Sequence, residues 1–198
     1  MMIKGPHLIE AQIHVSGQRP VWVLSHPHPQ YGGTMQNKII DQLYKRAVER
    51  NIFVVRYNFR GVGQSEGTFD HGQGEQEDLQ RVLAYLADTH GIENSNIHLI
   101  GYSFGSYVSA MCAGHINNVA KLSLIAPPTQ WFTFPKLKGI YPVEVYMPEQ
   151  DEHTDMHHAK AYVDQLRDPK SWIEIKAADH FFIGSTKRLI DSFLGRNT

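Results

Sequence analysis

Residues 96–105, NIHLIGYSFG, constrain what this chain can fold into more than any other stretch. Apolar residues with strand character run into Gly101-Tyr102-Ser103-Phe104-Gly105, and small, helix-tolerant residues (Ser106, Ser109, Ala110, Ala113) follow. The order predicts a strand, an abrupt turn and a helix. In that setting the two glycines of G-x-S-x-G let strand and helix approach closely while the serine sits strained and exposed at the tip. The amide of Phe104 then falls at the N-terminus of the new helix, where unpaired N–H groups and the helix dipole favour a developing negative charge. The bare string occurs by chance in many proteins. Its weight here comes from the strand before it, the helix after it, and an acid and a histidine further along.

The rest of the chain supplies elements of matching kind. Residues 8–15 (LIEAQIHV) alternate apolar and polar, as a half-exposed antiparallel edge strand does. Residues 21–25 (VWVLS) read as a buried strand that runs into a loop dense in proline and glycine, HPHPQYGGT. Residues 37–50 place Ile40, Leu43, Tyr44 and Ala47 on one helical face, and residues 75–89 do the same with Leu79, Val82, Leu83 and Leu86. Strands are expected at 52–59, 121–126, 141–147 and 171–175, and helices at 156–166 and 186–194. Strands alternating with helices at this spacing predict an α/β fold: a mainly parallel central sheet with helices on both faces, in a single domain over 1–198. Right-handed crossovers put the C-terminal ends of the strands, and so the site, along one edge.

Bulk properties exclude several function classes. At 41% hydrophobic and 20% charged the 198 residues suit a globular domain with one substantial core. A formal net charge of -1 lacks the basic surplus of a nucleic-acid or anionic-membrane binder. The N-terminus MMIKGPHLIEA has no apolar signal-peptide core, and no apolar run approaches the roughly 18 residues of a membrane helix, so a cytoplasmic protein is expected. Cys112, the one cysteine, permits no internal disulfide; on the helix after the elbow it reads as a packing residue.

A serine hydroxyl near neutral pH requires a base. His180, just after the last strand in AADHFF, is the candidate, and the acid should come from the loop after the preceding strand. Asp151 is the choice for orienting His180, with Asp155 the runner-up in a segment that also holds Glu149 and Glu152. Asp179, adjacent in sequence to His180, is a poor rival. In His26-Pro27-His28-Pro29 the prolines carry no N–H, so the amide of His28 is the sole donor between them and is expected to join that of Phe104 in an oxyanion hole; the amide of Tyr31 is the alternative. The glycine-rich loop at 60–67 fails as a nucleotide site, because G-x-G-x-x-G would need glycine where Glu66 stands. His153, His157 and His158 include an i, i+4 pair, but with neither cysteine nor H-E-x-x-H beside them they read as a solvated helix start. Neither a metal nor an organic cofactor is expected.

Four stretches carry a resemblance: SHPHPQYGGTM at 25–35, NFRGVGQSEG at 58–67, the elbow at 101–105, and ADHFF at 178–182. Together they resemble a family of small, lidless bacterial α/β-hydrolases related to dienelactone hydrolases. The chain order Ser103, Asp151, His180 is that of the α/β-hydrolase arrangement. The nucleophile is Ser103 where dienelactone hydrolases proper use cysteine, and Pro148-Glu149-Gln150-Asp151 replaces the usual glycine-led acid loop. The resemblance implies a serine hydrolase, esterase-like, acting on a small-molecule ester. A thioesterase or peptidase with the same triad, or a non-catalytic binding protein on the same fold, are the other readings. Too few residues separate 126 from 141 for a helical lid, so an open site is expected. There Trp131, Phe132 and Phe134 either wall an acyl pocket or pack under the loop.

Overall fold

The computed structural model describes residues 1–17, 19–116 and 118–197. In chain order the elements are β1 (Met2–Ile3), β2 (Ile9–His14), β3 (Val21–Ser25), α1 (Lys38–Glu49), β4 (Val54–Tyr57), α2 (Gln73–His90), β5 (Ile97–Tyr102), α3 (Phe104–Ile116), β6 (Lys121–Ile125), β7 (Val143–Pro148), α4 (Met156–Asp164), β8 (Lys170–Ile175) and α5 (Thr186–Leu194). They build one eight-stranded sheet of order β1-β2-β4-β3-β5-β6-β7-β8. The β1–β2 and β2–β4 pairs are antiparallel; β4, β3, β5, β6, β7 and β8 run parallel. Residues 8–15 were expected at the sheet edge, but β1 covers the outer side of β2, pairing Met2 with Glu10 and Ile3 with Ile9. Two residues are too short to show a period, which is why the sequence pattern misses β1.

The inner strands β3, β5 and β7 are buried along their whole length, as strands covered on both faces must be. One face packs Leu79, Val82 and Leu86 of α2, Val108 of α3 and Val163 of α4; the other packs Ile39, Ile40 and Leu43 of α1 with Leu189 and Phe193 of α5. Among the described residues no helix is long and apolar enough to cross a membrane.

Several boundaries differ from expectation for local reasons. α2 begins at Gln73 rather than Glu75, because the buried Glu75 carboxylate reaches back to accept from the Gly72 N–H at 2.7 Å and the Asp70 N–H at 2.9 Å. α4 stops at Asp164, since the amides of Gln165 and Leu166 turn to Tyr162 and Val163 in tighter i to i−3 bonds. β7 starts at Val143, after Pro142, which has no N–H for the ladder.

The site's location follows from the strand order. From β3 the chain steps through α1 to β4 on one side, then through α2 over β3 to β5 on the other. The loops that leave the C-terminal ends of β3 and β5 therefore diverge to opposite faces, opening a crevice between them.

Candidate active site

At the end of β5 the chain turns so sharply that two side chains have no room. A Cβ on Gly101 would lie 2.2 Å from the Gly105 carbonyl oxygen, and one on Gly105 would lie 2.2 Å from that of Ser25. Helix α3 thus rests directly on the end of β3. Between the glycines Ser103 takes φ +52°, a left-handed conformation that is strained for a residue with a side chain. Its backbone is fixed from both directions: the Ser103 N–H donates to Ile125 O at 2.8 Å, and Ser103 O accepts from the Ser106 N–H at 2.8 Å and hydroxyl at 2.5 Å.

The structure brings Ser103, His180 and Asp151 together. Ser103 Oγ lies 3.0 Å from His180 Nε2, and His180 Nδ1 lies 2.9 and 3.0 Å from the Asp151 carboxylate oxygens. A carboxylate only accepts, so Nδ1 carries the proton and Nε2 is left to accept from the serine hydroxyl. Asp151 Oδ1 also accepts from the amides of His153 at 2.8 Å and Thr154 at 2.7 Å, and its side chain is 1% exposed. That turn holds the carboxylate against the His180 ring.

The neighbouring acids are engaged elsewhere. Asp155 caps α4, accepting from the amides of His157 and His158, and pairs with the His158 ring at 3.2 Å. Glu149 accepts from the Ala177 amide and Lys176. Asp179 accepts from the Ile183 amide at 2.8 Å inside the turn that follows His180. His153 packs its ring 5.3 Å from that of His180. Among the described residues no group of three or more His, Cys, Asp or Glu is placed to hold a metal ion. The Cys112 thiol is buried and pushed up to about 12 by desolvation, leaving it unreactive.

Across the crevice, residues 26–34 fold into a tight loop. His28 O accepts from the amides of Tyr31 at 3.1 Å and Gly33 at 3.0 Å, so the Tyr31 N–H is used within the turn. Among the described residues the amides of His28 and Phe104 have no acceptor, and the two rings pack 4.9 Å apart. Phe104 is the first residue of α3, where helix geometry leaves the N–H unpaired.

Several supporting residues escape sequence reasoning. Tyr102, buried beneath the site, donates its hydroxyl to the His180 carbonyl at 2.8 Å; burial, with Asp151 and Asp179 nearby, raises its pKa far above the ordinary value, so it stays a donor. His26 is fully buried. Its Nε2 accepts from the Phe59 N–H at 3.1 Å and its Nδ1 donates to Pro27 O at 2.7 Å, which ties the loop after β3 to the loop after β4. Burial lowers its pKa to about 3. Asn58 Oδ1 holds the Met35 amide at 2.8 Å, and Glu10 Oε2 accepts from Asn58 Nδ2 and the Gln64 amide. Arg60 forms a buried ion pair with Asp78 of α2. The glycine-rich loop at 60–67 is therefore a structural knot that braces the loop after β3. Motif spelling alone carries no signal for these roles, because each partner lies tens of residues away.

The chain is similar to several known proteins. The family described as alpha/beta hydrolase fold matches residues 28–146. An uncharacterized protein of Rickettsia prowazekii is 31% identical over 176 residues, covering 84% of this chain and 74% of that one. A solved alpha-beta serine hydrolase homologue from Coxiella burnetii is 35% identical with a TM-score of 0.87, covering 100% of this chain and 95% of that chain. A serine hydrolase without lid from Xanthomonas campestris is 29% identical with a TM-score of 0.84, covering 96% and 88%.

Proposed function

The chain belongs to the alpha/beta hydrolase family, and from that premise we propose that it is a serine hydrolase cleaving carboxylic esters through an acyl-enzyme. The observation that carries this reading is the unbroken line from Ser103 Oγ through His180 to Asp151, with the serine held at φ +52°. Ser103 Oγ attacks the ester carbonyl carbon while His180 Nε2 takes its proton. Asp151 holds the ring tautomer and stabilises the imidazolium. The oxyanion meets the amides of Phe104 and His28. As the tetrahedral adduct collapses, His180 returns the proton to the departing alcohol. Water, deprotonated by the same nitrogen, then attacks the acyl-enzyme, and a carboxylic acid leaves with Ser103 restored. Each step uses side chains and amides of this chain.

The segment from 126 to 142, between β6 and β7, holds no helix, so the cleft stays open. An open cleft favours short-chain esters, or a short ester on a larger molecule, over long acyl lipids that need a covered trough. Steady-state hydrolysis of p-nitrophenyl acetate and butyrate tests the reading. Ser103→Ala should lower kcat by about 10⁴-fold or more. Full activity in that variant would refute the assignment, and a panel of thioesters and amides ranks ester cleavage against thioesterase and peptidase activity.

A further inference from the structure

A belt of aromatic rings leads away from the serine. The Phe104 ring lies 4.9 Å from that of His28 and 5.6 Å from Phe132. Phe132 stacks on Tyr107 at 4.7 Å, Tyr107 meets Phe134 at 5.7 Å, and Phe134 meets Tyr162 at 5.1 Å. From His28 and the buried Phe104 the belt reaches Phe132, which together with Phe134 and Tyr162 lines a cleft of about 360 Å³. That cleft opens between the segment after β6 and helix α4, with Trp131, Phe134, Ala161 and Tyr162 among its walls.

Trp131 is 73% exposed, yet it is fastened. Its indole N–H donates to His153 O at 3.1 Å; the neighbouring Gln130 donates to the same oxygen at 2.5 Å and accepts from the Asp155 amide at 2.7 Å. These bonds join the cleft's outer wall to the loop that carries Asp151. A large flat apolar face held rigid in water is a feature of recognition surfaces, where little side-chain entropy is lost on binding. No Lys, Arg, Asp or Glu lines the cleft; its polar members are threonines, glutamines and His158.

Resting on the serine-hydrolase reading, we propose that this cleft is a substrate subsite for an uncharged aryl group, so that the preferred substrates are carboxylic esters with an aromatic ring a short spacer from the reacting carbonyl. The volume is at the small end for ligand pockets and holds one ring with its spacer rather than a long chain. A ring also gains edge and stacking contacts with Trp131, Phe134 and Tyr162 that an alkyl chain of equal carbon count lacks.

The test pairs substrates of equal carbon number, followed by pH-stat. Methyl 3-phenylpropanoate against methyl nonanoate places the ring on the acyl side; 3-phenylpropyl acetate against nonyl acetate places it on the alcohol side. In one arm the wild-type protein should favour the aryl ester by about tenfold in kcat/KM. The preference should collapse toward unity in Ala161→Trp, which fills the cleft from an exposed helix position, and in Phe134→Leu, which keeps an apolar side chain but removes a flat face. Ratios within twofold in both arms, or a preference that survives both variants, would overturn the subsite, provided the wild type reacts with a fluorophosphonate at Ser103. A wild type that fails to react there would overturn the hydrolase reading itself.

Discussion

Two residues that make no bond to substrate show how narrowly the histidine is placed. Tyr102 holds the His180 main chain from below and Asp151 holds the ring from the side. Tyr102→Phe removes only the hydroxyl and leaves the His180 carbonyl short of a donor in a buried setting. It should lower kcat about tenfold with KM nearly unchanged; a kcat equal to wild type would show that the hydrogen bond positions nothing. Asp151→Asn should lower kcat about 10³- to 10⁴-fold by favouring the wrong tautomer of His180. Asp155→Ala should leave the rate near wild type and lower the urea midpoint slightly through loss of the α4 cap. Exchange of those two phenotypes in steady-state assays would transfer the acid role to Asp155. The sequence makes Asp151 the first choice by position after the strand, while the turn that aims it depends on the amides of His153 and Thr154, which no side-chain pattern announces.

At the scale of elements, the strand, turn and helix around Ser103 are legible because their rule is local: two glycines four residues apart and a switch from strand to helix composition. The structure gives that spacing a steric cause at Gly101 and Gly105. A methyl group at Gly105 would meet the backbone of Ser25, which cannot yield without separating α3 from β3. Gly105→Ala should therefore destabilise the protein by about 3 kcal/mol or more, read from urea unfolding; an unchanged midpoint would mean that the helix can lift off without penalty. The edge of the sheet was less legible. β1 is too short for a period, and the ends of β7 and α4 are set by a proline and by a tightened last turn rather than by hydrophobic spacing. The knot at 60–67 reads as a loop from sequence, but its partners Glu10 and Asp78 are brought to it only by the tertiary fold, as Met35 is brought to Asn58 beside it.

Among the described residues of the molecule, His26 and His98 are buried histidines outside the reaction. His98 bonds to Ser123 at 2.8 Å and stacks on Phe193, and its pKa, like that of His26, is driven down by desolvation. Each titrates near 6.5 when unfolded, whereas His26 in the fold titrates near 3. Between those values the unfolded chain binds the extra proton. For His26, stability therefore rises with pH through that window, is fully present above about 6.5 and is lost as pH falls; the lowered pKa of His98 acts in the same direction. His98→Gln should make the decline of unfolding free energy below about pH 6.5 shallower, measured by urea titration at each pH. An unaltered slope would show that His98 is not held neutral. The divergence of the chain at β3 and β5 opens the crevice, and the motifs at 25–35 and 101–105 meet there. The proposed mechanism requires that this crevice activate Ser103. Reaction with a fluorophosphonate followed by peptide mapping decides this: one stoichiometric adduct on Ser103 that disappears in His180→Ala is expected, and folded protein that takes up no label, or takes it up at another residue, would contradict the proposal.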